Sequence, residues 1–193
     1  MARRGRLTAS NFGSVLKAKR VTPSLPKRLL VEYDLSRVKA VQWGVNNEKE
    51  AIKAFTLKTG KTVKETGIWF HSSGILGASP DGIVDHETAL EAKCPYSERN
   101  LTIDEAVKSS ATFCLDKSDS REYVLKKEHV YWHQVQREMY FLSKNFVILF
   151  CGPQRIYLAV LKIERNESWA ANIPLLTQFY FNYIFPKIVA GEL

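Results

Sequence analysis

Apolar residues follow two periods along the chain, and each period predicts a different element. Spacing by three and four puts Phe12, Val15 and Leu16 on one side of a short helix over 10–19, with Ser10 as its N-cap and Pro23 and Pro26 breaking the chain after it. The same spacing makes 44–58 an amphipathic helix, with Ala51, Ile52 and Phe55 on one face, Lys49, Glu50 and Lys53 elsewhere, and Gly60 as its stop. Short apolar pieces at 66–70, 75–78, 83–85 and 89–93, separated by turn residues, predict an antiparallel meander. Thr102 and Glu105 have capping-box spacing and start a helix through Val107, while the polar stretch 109–121 reads as loop. Helix resumes over 128–142, strands follow at 146–151 and 156–163 around 152–155, and a last helix fills much of 166–189. The sum is an α/β or α+β fold, a central mixed sheet flanked by helices, in a single domain spanning 1–193.

Composition narrows the class. The chain has 193 residues, 45% of them hydrophobic and 11% aromatic, enough to build a core. Its net charge of +8 comes wholly from the start. Arg3, Arg4, Arg6, Lys17, Lys19, Arg20, Lys27 and Arg28 all precede the first acid, Glu32, and the remainder is balanced. Such a patch suits nucleic acid, an anionic membrane surface, or solvent alone. The longest apolar run, 146–151, is far short of the roughly 20 residues that span a bilayer, so no membrane partner is expected. The three cysteines, Cys94, Cys114 and Cys151, contain no C-x-x-C, which disfavours a disulfide framework and points to an intracellular compartment, cytoplasm or nucleus. The Arg-rich opening also has the composition of a mitochondrial transit peptide, a secondary reading.

Candidate chemistry concentrates in Gly77-Ala78-Ser79-Pro80-Asp81-Gly82 and Leu90-Glu91-Ala92-Lys93-Cys94-Pro95. In a strand, Glu91 and Lys93 share a face and the Ala92 carbonyl lies at the edge. If that strand pairs back beside Asp81, two carboxylates and an ammonium converge on a site for a hard cation, Mg²⁺ or Mn²⁺, held by Asp81, Glu91, the Ala92 carbonyl and water. The bland alternative is a surface hairpin in which Pro80-Asp81-Gly82 is a turn. Glu48 adds a carboxylate to the apolar face of the 44–58 helix, as a metal ligand or as half of a buried salt bridge. Gln134, beside the Val130/Val135/Leu142 stripe, either reaches the same pocket or is a satisfied core amide. His71, His86 and His129 lack metal-ligand spacing, His133 is expected to line its helix, and the aromatic tail (Trp169, Phe179, Tyr180, Phe181, Tyr183, Phe185) is expected to be core.

R-x-x-x-x-T-A-S at Arg3, W-G-x-x-x-E ending at Glu48, G-A-S-P-D-G, L-E-A-K-C-P and H-Q-V-Q occur in this order, and the set resembles the YqaJ viral-recombinase family, the phage lambda-type exonucleases of the PD-(D/E)XK nuclease superfamily. The resemblance implies a restriction-endonuclease-like core. It implies an Mg²⁺-dependent deoxyribonuclease that digests one strand of duplex DNA from a 5′-phosphorylated end in recombination or repair. By resemblance, Asp81 and Glu91 are metal carboxylates, Lys93 is the catalytic lysine, Glu48 stands near a second metal, and Gln134 is the first glutamine of Q-V-Q. Arg3, Thr8 and Ser10 match the group that reads the 5′ phosphate, and Ser79 a residue beside the scissile strand. A helix start at Ser10 suits a phosphate on physical grounds as well, with plain helix capping as the alternative. Only two residues precede Arg3, so weak anchoring is expected, with Arg4 or Arg6 able to replace it. Implied partners are double-stranded DNA ends, a single-strand annealing protein and a homotrimer. A structure- or site-specific endonuclease on the same core, and a non-catalytic DNA-binding recombination protein, are the competing readings.

Overall fold

The computed structural model describes residues 5–30, 37–154 and 157–192, so Arg3 and Arg4 lie outside the described residues. Its elements are β1 (Leu7–Thr8), α1 (Ala9–Leu16), α2 (Ser24–Leu30), α3 (Lys39–Thr59), β2 (Trp69–Phe70), β3 (Leu76–Ala78), β4 (Gly82–Ile83), β5 (Thr88–Lys93), α4 (Ile103–Ser109), β6 (Leu115–Lys117), β7 (Tyr123–Leu125), α5 (Val130–Leu142), β8 (Phe146–Gln154), β9 (Tyr157–Glu164), α6 (Asn172–Phe179) and α7 (Phe185–Val189). A 3₁₀ turn (Glu167–Ala171) precedes α6 and a π-helical turn (Tyr180–Ile184) precedes α7.

The central sheet runs β4-β5-β8-β9. β5 and β8 are parallel and the other pairs antiparallel, so the sheet is mixed, with helices on its faces, as the sequence pattern predicts. β5 is buried along nearly its whole length. Leu90 and Ala92 pack against Ala51 and Phe55 of α3. Ala89 joins Val135 and Met139 of α5 in the main core, which extends to α4 and the β6–β7 hairpin. Strand alternation therefore turns Glu91 and Lys93 toward α5.

Several elements differ from the sequence expectation, each for an identifiable reason. The pieces from 66 to 93 do not form one meander. β2 and β3 pair in a separate sheet of order β1-β3-β2, and β4 and β5 belong to the central sheet. The chain crosses between sheets at Ser79-Pro80-Asp81, where Pro80 offers no N–H to extend a ladder. β1, parallel to β3, also moves the start of α1. Thr8, still extended, is the N-cap and Ser10 lies in the first turn. Pro26 sits in the first turn of α2, where a missing N–H is tolerated, and so it helps begin a helix instead of ending one. α3 begins five residues earlier than expected and ends at Gly60 in the left-handed conformation, φ 70°. The 109–121 stretch contains strand β6, unseen because only Leu115 of its three residues is buried. The last helix is interrupted ahead of Pro186, which cannot donate back to the preceding turn, and the π-helical turn takes up the mismatch. Its aromatic residues divide: Trp169, Phe179 and Tyr180 are core, whereas Phe181, Tyr183 and Phe185 are exposed.

α1 crosses α5 closely enough that a Cβ on Gly13 would stand 2.8 Å from Val130 Cα and 2.9 Å from its Cβ. Backbone cannot give way as a side chain does. Gly13→Ala is therefore expected to destabilise the protein by ~1–3 kcal/mol, read as a lowered denaturation midpoint with an unchanged m-value.

Candidate active site

A cleft of ≈ 400 Å³ opens where the two sheets meet, lined by the start of α1 (Thr8, Ala9, Ser10), by Glu48 and Ile52 of α3, by Ser79-Pro80-Asp81, and by Glu91, Lys93 and Gln134. Eight of the side chains singled out from sequence thus face one cavity although they come from five stretches of chain. Arg3 lies outside the described residues. The Ala92 side chain belongs to the apolar cluster with Phe55 and Leu90, and only its backbone faces the site.

Local folding explains the convergence. The Asp81 amide donates to the Leu90 carbonyl (3.1 Å), the start of the β4–β5 ladder, which sets Asp81 beside Glu91. The Ala92 amide donates to Asp81 Oδ2 (2.7 Å) and fixes the carboxylate. Because N–H and C=O of one strand residue face the same side, the Ala92 carbonyl also points toward Asp81 and away from β8. Gly82 is not a turn glycine. A Cβ there would meet Val63 Cγ1 at 2.2 Å and the Lys64 carbonyl oxygen at 3.2 Å, so its role is to admit the 63–64 segment. The hairpin turn lies farther on, where Asp85 accepts from the Glu87 amide (2.9 Å).

Glu91 is 2% exposed, and its two oxygens have different surroundings. Oε1 accepts from Lys93 Nζ and from Gln134 Nε2 (2.5 Å). Oε2 is buried with no hydrogen-bond partner. A buried carboxylate oxygen left bare is costly, and a cation satisfies it. Asp81, Glu91 Oε2 and the Ala92 carbonyl form an all-oxygen donor set, which fits a hard divalent ion that keeps water or phosphate oxygens as its remaining ligands. No three His, Cys, Asp or Glu side chains among the described residues gather tightly enough to hold an ion alone. Glu48 faces the same cleft from α3.

Burial would pull the Lys93 ammonium down, but Glu91 and Asp81 hold it above its ordinary value, so it is charged at neutral pH. Its Nζ also stands 4.9 Å from the centre of the Tyr131 ring. Burial, with Glu48 and Asp81, pushes the neighbouring Cys94 thiol up to about 11, which keeps it protonated and unsuited as a nucleophile. Gln134 is both a buried amide and a cleft residue.

Sequence reasoning missed Arg137 and Glu138, both fully buried on α5. Gln134 Nε2 donates to Glu138 Oε1 (3.2 Å) as well as to Glu91. Burial first, and Glu91 second, raise the Glu138 carboxyl well above its usual range. The Arg137 guanidinium lies 3.8 Å from the centre of the Phe12 ring and 5.0 Å from that of Phe141, and its nitrogens have no hydrogen-bond partner. Both fall within the buried run from Gln134 to Met139, which the sequence does not signal, because charged residues on a helix are ordinarily taken for its solvent face. Arg6, offered as a substitute for Arg3, donates from Nε to the Gly74 carbonyl (2.9 Å) and stacks on Phe70 (4.8 Å), so it braces the β2–β3 hairpin. His133 Nδ1 accepts from Trp169 Nε1 (3.1 Å), a packing role.

Comparison with known proteins agrees with this architecture. Alkaline exonuclease LHK-Exo from Laribacter hongkongensis superposes with a TM-score of 0.70 at 21% identity, covering 99% of this chain and 93% of that one. The complex of LHK-Exo with dAMP gives 0.69 at 22% identity, covering 99% and 96%. The alkaline nuclease of Orgyia pseudotsugata multicapsid polyhedrosis virus is 25% identical in an alignment of 125 residues that covers 56% of this chain and 29% of that relative, so the match spans under a third of the viral protein. The model of the YqaJ-like viral recombinase domain matches residues 1–143, which contain every candidate side chain above, and the chain belongs to that family.

Proposed function

We propose that the protein is a metal-dependent deoxyribonuclease that hydrolyses one strand of duplex DNA from a 5′-phosphorylated end. The observation carrying this reading is the cleft in which Asp81, Glu91 with its unpartnered Oε2, and Lys93 face the start of α1. The names of the relatives agree with it: an alkaline nuclease, and an alkaline exonuclease that binds dAMP, a mononucleotide with a phosphate.

Asp81, Glu91 and the Ala92 carbonyl would hold Mg²⁺ or Mn²⁺, with Glu48 near a second ion. A bound ion supplies a water of lowered pKa and charge opposite the scissile phosphate. Lys93, charged and fixed by Glu91, orients the attacking water or offsets charge growing on a phosphate oxygen. Gln134 restrains Glu91, and Ser79, two residues before Asp81 on the cleft wall, would donate to the bound strand.

The end of the strand has its own receptor. α1 begins on the cleft without a side-chain cap at Thr8, which leaves first-turn N–H groups and the positive end of the helix dipole for an anion. Thr8 and Ser10 add hydroxyls to this pocket, and Arg3 is the guanidinium assigned to it from the motif. A phosphate seated there places the chain end within the same cleft as Asp81, which makes digestion end-dependent.

Three substrates test this: linear duplex with a 5′ phosphate, the same duplex with a 5′ hydroxyl, and a covalently closed circle. Mononucleotide release is expected to be fastest from the first, slower from the second by about tenfold or more, matching the loss of ~1.5–3 kcal/mol in charge-assisted hydrogen bonds, and absent from the circle. Cutting of the circle at a comparable rate contradicts end dependence and favours an endonuclease.

A further inference from the structure

Glu138 does not line the cleft, yet its Oε1 accepts from Gln134, the side chain that holds Glu91. Gln134 spreads its two amide hydrogens between Glu91 Oε1 and Glu138 Oε1. This settles which end of the amide faces the carboxylates, since the carbonyl end would set oxygen against oxygen on both sides. The geometry points to Glu138 as a positioning residue: by accepting from Gln134 it locks the amide against Glu91 Oε1, and so leaves Glu91 Oε2 free for the cation that Asp81 and Glu91 would hold. The inference rests on the metal reading of Asp81 and Glu91.

Three observations carry it. Glu138 is 0% exposed, so its oxygens have no water to solvate them, and Oε2 has no hydrogen-bond partner of its own. A carboxylate in such a place is destabilising unless its contacts are used. Arg137 on the same turn offsets part of the charge on Glu138, and because its guanidinium is stacked on Phe12 of α1 and makes no hydrogen bond, it does not draw Glu138 away from Gln134. Glu91 Oε1 already has two donors, Lys93 and Gln134, and losing the second frees the carboxylate to rotate about a single contact. Groups that orient metal ligands from behind are commonly worth 10–100-fold in metal affinity or activity.

The test measures Mn²⁺ binding to the full chain without DNA, by calorimetry or by the electron paramagnetic resonance signal of the free ion. Glu138→Ala is expected to raise the Mn²⁺ dissociation constant about 10–100-fold. Glu138→Gln keeps an oxygen acceptor for Gln134 and is expected to restore binding to within about threefold of wild type, whereas Glu138→Met fills much the same space without an acceptor and is expected to stay weakened, a difference that a purely space-filling role does not predict, and affinity for duplex DNA in the absence of metal is expected to stay unchanged. If Glu138→Ala does not fold, the double variant Arg137→Met/Glu138→Met removes both buried charges together and is expected to show the same weakened binding. A folded Glu138→Ala or double variant that binds Mn²⁺ as wild type does overturns the positioning role. Asp81→Ala separates the two readings: if wild type and Asp81→Ala bind Mn²⁺ equally, the metal site itself is wrong, whereas loss in Asp81→Ala beside wild-type binding in Glu138→Ala refutes only Glu138.

Discussion

Replacing Lys93 with alanine is expected to slow strand hydrolysis about 10²–10³-fold, the usual effect of deleting one preorganised charge or donor at a developing oxyanion. The size follows from its place. Lys93 points from the end of β5 into the cleft, is bonded to Glu91, and lies beside Asp81, so its ammonium is fixed before substrate arrives. Lys93→Arg is not expected to rescue the rate, because a planar fork cannot occupy the space of a point charge in this partly buried position. Single-turnover digestion at saturating metal isolates the chemical step. Rates within about threefold of wild type for Lys93→Ala would remove the residue from the mechanism.

Arg137→Ala is expected to be among the most destabilising single changes, by ~3–5 kcal/mol, because it leaves Glu138 and Glu91 without the buried charge that offsets them. It also removes a guanidinium stacked between α1 and α5. For a domain of this size that is a fall in Tm of roughly 6–20 °C. Replacing both charges, Arg137→Met with Glu138→Met, is expected to recover most of it, since neither buried charge is then left for the other to offset and the apolar groups keep similar volume. Thermal denaturation followed by circular dichroism checks both. A single variant as stable as wild type would show that the Arg137 charge does not hold this core together.

Long periodic elements were legible in the sequence, and so were the motifs. α3 and α5 announce themselves by helical spacing, and the capping box at Thr102 and Glu105 is present with both bonds formed. The Asp81/Glu91/Lys93 cluster was legible because strand alternation and hairpin pairing are local rules: they set two carboxylates and an amine together before any tertiary contact is known. Sheet membership was not legible. Nothing local at 76–83 distinguishes a continuing meander from a chain that leaves one sheet for another, and the difference is made by β1, fifty residues or more from the strands it helps to reorganise. The start of α1 moved for the same reason. Arg137 and Glu138 were unreadable as core, because charged residues on a helix are ordinarily taken for its solvent face. The role of Gly82, room for Val63, is a tertiary contact with no local signal, and only the alternative surface-hairpin reading had given it a part, as a turn residue.

Release of mononucleotides from a uniformly labelled, 5′-phosphorylated linear duplex, measured with Mg²⁺, with EDTA and in Asp81→Ala, tests the central claim most directly. Steady release by wild type with Mg²⁺ is predicted, falling to background with EDTA and in a folded Asp81→Ala. Release that continues in EDTA, or at the wild-type rate without the Asp81 carboxylate, contradicts it.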